Sequence, residues 1–152
     1  HRDIKPSNIM YEPASGTVKV TDFGIALITD SSGTRTGRTL GTPSYMSPEQ
    51  LAGKTIEGRS DMFSLGVMFY QLVSGHLPFQ GDSLPQLVIK MANEPHPGIQ
   101  AYNPQLPPCL ADIIDKALAK TPAGRYQSGN DMAQALKACA AAIGGGAAAT
   151  AG

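Results

Sequence analysis

The hydrophobic period of the chain changes near residue 60. Before that point apolar residues come in two short β-type runs, Ile9-Met10-Tyr11 and Thr17-Val18-Lys19-Val20. The turn formers Glu12-Pro13-Ala14-Ser15-Gly16 separate them, which predicts a small hairpin. Residues 28–42 sustain no period and are rich in Thr, Ser, Gly and Arg, which predicts a mobile loop. From Ser60 the spacing is helical. Met62, Phe63, Leu65, Val67, Met68, Phe69, Leu72 and Val73 surround one helix on all sides, which predicts a buried central post. Ser74-Gly75 and Pro78 end it. Leu84, Leu87, Val88 and Met91 predict a second helix, with Pro85 tolerable in its first turn. Leu110, Ile113, Ile114, Ala117 and Leu118 predict a third, stopped by Thr121-Pro122. Ser128 with Asp131 predicts the capped start of a last helix running to about Ala142. Glu94 to Pro108 is Pro-rich and predicts a long loop. The expected organisation is one packed unit over 1–142 and a flexible Gly/Ala linker over 143–152.

Composition narrows the class. The 152 residues are 41% hydrophobic and 16% charged, as in a packed globular chain. The formal net charge is +0 and there is no basic run, so nucleic-acid and membrane-surface binding lack electrostatic support. Cys109 and Cys139 lie far apart in no CxxC pattern, and read as two free thiols in a reducing compartment. The longest apolar stretch, Met62 to Val73, is interrupted by Ser64, Gly66 and Gln71 and is too short to span a bilayer. The first residue is His, so the chain is expected to be cropped from a longer parent.

The candidate chemistry lies in three short words in fixed order: His1-Arg2-Asp3, Asp22-Phe23-Gly24 and Ser47-Pro48-Glu49. Asp3, Asn8 and Asp22 are oxygen donors that bracket the predicted hairpin, and a hairpin returns the chain so that its two ends can face one site. Oxygen donors of this kind suit magnesium held jointly with phosphate oxygens. Phosphoryl transfer needs little more: charge neutralisation, a group that orients the attacking hydroxyl, and a cation on the moving phosphoryl.

With Lys5 and Asn8 at their offsets, these words resemble the C-terminal lobe of a serine/threonine protein kinase of the Hanks type, most closely its bacterial branch. The resemblance covers His1 to about Ala142. It implies a mainly α-helical kinase-like fold (α+β family), C-lobe only, with a small β-hairpin at the active site. It implies transfer of the γ-phosphoryl of ATP to serine or threonine hydroxyls of proteins, with Mg2+ (Mn2+ as the alternative ion). Asp3 would orient or deprotonate the substrate hydroxyl, Lys5 would contact the γ-phosphate, and Asn8 and Asp22 would hold the metal ions. Met10 would floor the adenine, and His1 and Phe23 would pack beneath the site. Thr42, in the docking strip from Gly41 to Glu49, would bond to Asp3 and Lys5. Glu49 would pair with Arg125, and Asp61 would bond the backbone around Arg2. Arg2 would receive an activation-loop phosphate, with Thr34 and Thr36 ahead of Ser31, Ser32 and Thr39 as its carriers.

Ser47 replaces the usual alanine of its word, and Phe63 stands where tryptophan is common. The resemblance places a glycine-rich loop and a phosphate-gripping lysine upstream of His1. The chain is therefore expected to need that N-lobe as a partner and to be inactive alone. The kinase domain is expected to be cytoplasmic, in a parent that a membrane anchor could carry. Two other classes compete. A pseudokinase scaffold would have lost Asp3, Lys5, Asn8 or Asp22, and all are present. A small-molecule phosphotransferase would lack the docking strip and the Glu49–Arg125 partners, and both are present. His76 and His96 read as surface residues, and Tyr45 and Tyr126 as packing residues.

Overall fold

A computed structural model describes residues 1–22 and 43–149. A short 3-10 turn, Pro6–Asn8, leads into strand β1 (Ile9–Glu12), which pairs antiparallel with β2 (Thr17–Val20). The register sets Ile9 against Val20 and Tyr11 against Val18. Among the described residues five α-helices follow: α1 (Pro48–Leu51), α2 (Gly58–Ser74), α3 (Leu84–Asn93), α4 (Pro108–Ala117) and α5 (Gly129–Ala149). The fold is the mainly helical kinase-like one, with a single small hairpin among the described residues.

The core has two parts around α2. Phe63, Val67 and Tyr70 pack with Phe79, Leu87, Met91, Ile99, Ile114 and Leu118. Met62 packs with Ile113, Ala117, Tyr126, Met132 and Cys139. Gly66 lets α4 approach closely, because a Cβ there would stand 2.8 Å from the Ala117 Cβ. Gly75 ends α2 at φ 75, a left-handed cap that costs a glycine little.

Four expectations need correction. First, α2 is not buried all round: Leu72 is 78% exposed. Leu65, Met68, Phe69 and Leu72 line an open apolar groove of about 530 Å³, completed by Pro6, Tyr45 and Gln71. Apolar residues on every side establish the composition of the helix, not that every side is covered.

Second, Cys109 and Cys139 are not free thiols but a disulfide, with Cα atoms 5.7 Å apart. The packing of α4 against α5 brings together positions separated by 30 residues in sequence. Spacing alone carries no trace of that contact.

Third, α5 continues past Ala142 through Gly144-Gly145-Gly146 to Ala149. The alanines on either side favour a helix, but each of the three glycines costs about 1 kcal/mol against it, so propensity does not account for the continuation. Residues 150–152 lie outside the described residues.

Fourth, His96 is half-buried rather than on the surface. Its ring stands edge-on to Tyr70 and Phe79, and its Nε2 lies 3.2 Å from the Asp115 carboxylate. The Pro-rich loop that carries it folds back onto the core, burying Ile99 and Leu106. Among the described residues no helix is long and apolar enough to cross a membrane.

Candidate active site

The site is built on the turn between His1 and Asn8. The Pro6–Asn8 turn buries Asn8, whose side-chain amide donates to the Asp3 carbonyl at 2.9 Å and to Asp3 Oδ2 at 3.1 Å. Lys5 Nζ approaches the same Oδ2 at 3.6 Å. One carboxylate oxygen is thus addressed by an amide donor and an ammonium, while the Asp3 side chain stays a quarter exposed. Hydrogen-bonded and partly wet, it is fixed in direction yet open to a reactant.

His1 ties this turn to the far end of the hairpin. Its Nδ1 accepts from the Asp3 N–H at 3.3 Å, and its Nε2 pairs with the Thr21 carbonyl at 2.7 Å. Those partners assign the proton to Nε2. The Thr21 N–H donates to the Asn8 carbonyl at 2.9 Å. Asn8 and Thr21 therefore stand side by side where the hairpin closes, and Asp22 follows at once, exposed and at φ 53. Met10, on β1, is 62% exposed.

The donor set fits the metal that the motif implies. Asn8 spends its amide nitrogen on Asp3, which leaves Oδ1 as its ligating atom. Asp22 offers an exposed carboxylate. Oxygen donors from a neutral amide and a carboxylate fit a hard divalent cation that takes its other ligands from phosphate and water. Among the described residues no cluster of three His, Cys, Asp or Glu side chains forms a metal cage.

A second constellation lies behind the first. The Glu49 carboxylate receives Arg125 Nη1 at 2.6 Å and Nη2 at 2.9 Å, and the Ser60 hydroxyl at 2.6 Å. Arg125 is 1% exposed. It also donates to the carbonyls of Arg59, Ala119 and Lys120, and its guanidinium lies over the Phe63 ring at 4.9 Å. Burial pushes the Glu49 carboxyl up, but the hydrogen bonds from Arg125 and Ser60 outweigh it and hold the pKa at about 2. Glu49 belongs to α1, so this pair bolts the Ser47-Pro48-Glu49 segment to the helical core.

Asp61, in the first turn of α2, accepts the Arg2 N–H at 3.0 Å and the His1 amino group at 2.8 Å. Sequence reasoning missed Gln50, which donates to the Arg2 carbonyl at 3.0 Å and accepts the Ser47 N–H at 2.9 Å. The readable signal was the Ser-x-x-Gln spacing of a capping box. Phe23, Thr34, Thr36 and Thr42, with Ser31, Ser32 and Thr39, lie outside the described residues.

The protein kinase domain family matches residues 1–138. The serine/threonine-protein kinase PknA of Mycobacterium tuberculosis is 45% identical over 139 residues, covering 91% of this chain and 31% of that protein. The serine/threonine-protein kinase pkn3 of Myxococcus xanthus is 45% identical over 148 residues, covering 91% of the chain and 26% of its own length. The serine/threonine-protein kinase PrkC of Bacillus subtilis is 40% identical over 138 residues, covering 90% and 21%. The chain spans less than a third of the length of each of these relatives.

Proposed function

This chain belongs to the protein kinase domain family, and on that premise we propose that it is the catalytic-loop lobe of a serine/threonine kinase that transfers the γ-phosphoryl of ATP to protein hydroxyls. The observation that carries the reading is the convergence of Asn8 and Lys5 on one oxygen of Asp3, at 3.1 and 3.6 Å. A carboxylate held that way can align a serine or threonine hydroxyl and take its proton. The hydroxyl oxygen forms the new bond to the γ-phosphorus, the bond from that phosphorus to the bridging oxygen breaks, and ADP departs with the electron pair. Lys5 follows the phosphoryl as it moves and offsets its charge.

Asn8 and Asp22 would hold the divalent cation, magnesium in preference to manganese. When bound, the ion neutralises phosphate charge. Met10 would floor the adenine, and Thr42 would steady the substrate hydroxyl against Asp3 and Lys5. Arg2 would receive a phosphate from Thr34 or Thr36. Arg2 is exposed, and a guanidinium pairs strongly with a phosphodianion. The exposed apolar side chains Met10, Tyr11 and Val18 support docking of an upstream lobe on the hairpin. The kinase domain would work in the cytoplasm, whether or not the parent carries a membrane anchor.

The test is to incubate the complete parent kinase with labelled ATP and magnesium, beside an Asp22→Asn variant. Label on protein serine or threonine, in the unmutated enzyme only, is the expected result. Label in neither, on itself or on generic substrates, would shift the reading to a scaffold of the same fold.

A further inference from the structure

Gln50 works in two directions. Its Oε1 accepts the Ser47 N–H at 2.9 Å and the Ser47 hydroxyl at 3.1 Å, and its own N–H donates back to Ser47 Oγ at 3.3 Å. Those bonds close the N-terminus of α1. The other end of the same amide, Nε2, donates to the Arg2 carbonyl at 3.0 Å.

Arg2 is an unusual residue to grip. Its φ of 70 lies in the left-handed region, which costs a residue with a Cβ and persists where the surroundings over-determine it. Two side chains supply that. Asp61 accepts the Arg2 N–H at 3.0 Å, and Gln50 donates to the Arg2 carbonyl. The carbonyl belongs to the peptide unit whose N–H is that of Asp3, and this N–H donates to His1 Nδ1 at 3.3 Å. A peptide unit is planar, so fixing its oxygen and its N–H fixes the placement of the Asp3 Cα.

We propose that Gln50 is a positioning residue for phosphoryl transfer. From the Ser47-Pro48-Glu49 segment it grips the Arg2–Asp3 peptide and so aims the Asp3 carboxylate. Seating of the docking segment and alignment of Asp3 become one event. Gln50 touches no reacting atom, and its role rests on the kinase reading above.

The discriminating variant is Gln50→Glu in the complete kinase. A glutamate at this position keeps an acceptor for the Ser47 N–H, as in the Ser-x-x-Glu box, but its carboxylate cannot donate to the Arg2 carbonyl. Gln50→Ala loses both contacts. The expected result is a kcat about fivefold lower in both variants, with KM for ATP and the Tm of the Glu variant unchanged. Amide hydrogen exchange over His1–Lys5 should also be faster in both. If Gln50→Glu keeps normal kcat and normal exchange while Gln50→Ala does not, Gln50 is only a helix cap and the proposal fails. Exchange is read without turnover, so normal exchange in the Glu variant overturns the grip whatever the activity. An unmutated kinase that transfers no phosphate overturns the functional reading itself, and with it the role in transfer.

Discussion

Glu49 and Arg125, 76 residues apart, meet in a two-pronged ion pair that links α1 to the turn before α5. The fold places a full charge on each partner where almost no water reaches. Acid should therefore weaken this pair. The folded Glu49 pKa of about 2 lies below its ordinary value of 4.5. Its contribution is complete above pH 4.5 and is lost as pH falls towards 2, because the unfolded chain takes up the proton first. At neutral pH that contribution is about 3 kcal/mol. Urea midpoints measured across this range should fall steeply in the native protein and less steeply in Glu49→Gln. Equal slopes would assign the acid sensitivity to other carboxylates.

Replacing Arg125 by lysine keeps the charge and loses the fork. One ammonium cannot span both oxygens of Glu49 and also serve the carbonyls of Arg59, Ala119 and Lys120. We expect Arg125→Lys to cost about 2–4 kcal/mol in equilibrium denaturation. A cost under about 1 kcal/mol would mean that water enters and replaces the lost donors.

Gly66→Ala tests the contact between α2 and α4. The new methyl would stand 2.8 Å from the Ala117 Cβ and 3.3 Å from the Ala117 carbonyl carbon, neither of which can swing aside. Overpacking should exceed the gain in helix propensity and leave the protein about 1–3 kcal/mol less stable. Adding Ala117→Gly should restore part of that loss. Strict additivity of the two changes would refute a direct clash.

The bond between Cys109 and Cys139 closes a loop of about thirty residues, which corresponds to about 3–4 kcal/mol of lost unfolded-state freedom. Reduction should lower Tm by about 10 °C. A Cys109→Ser, Cys139→Ser double variant should melt where the reduced protein does and ignore the reductant. A melting point that reductant leaves unmoved in the native chain would show that the bond contributes little in solution.

Elements with a strong local pattern were legible in the sequence. The hairpin between Ile9 and Val20 follows from two β-type runs and one turn, and α3 and α4 follow from a single apolar stripe each. The approach of Asn8 to Asp3 was legible because both lie in one short motif just before that hairpin. Features that depend on tertiary distance were not. The disulfide, the pairing of His96 with Asp115 and the exposed flank of α2 all depend on which helix lies beside which. Gln50 falls between the two cases: its cap with Ser47 is local and readable, while its bond to Arg2 crosses 48 residues.

The β1–β2 hairpin also acts as a gauge. Asn8 stands just before β1, and Val20 leads through Thr21 to Asp22, so the pairing of Ile9 with Val20 sets where Asn8 stands along the chain relative to Asp22. A slip of one residue would shift one strand by about 3.3 Å and turn its side chains to the opposite face. The turn from Pro13 to Gly16 is exposed, where chain length changes cost stability little. A single inserted residue there is expected to leave the melting point nearly unchanged while shifting Asn8 against Thr21 and Asp22. The length of a turn that carries no chemistry of its own thus sets the register on which the site depends.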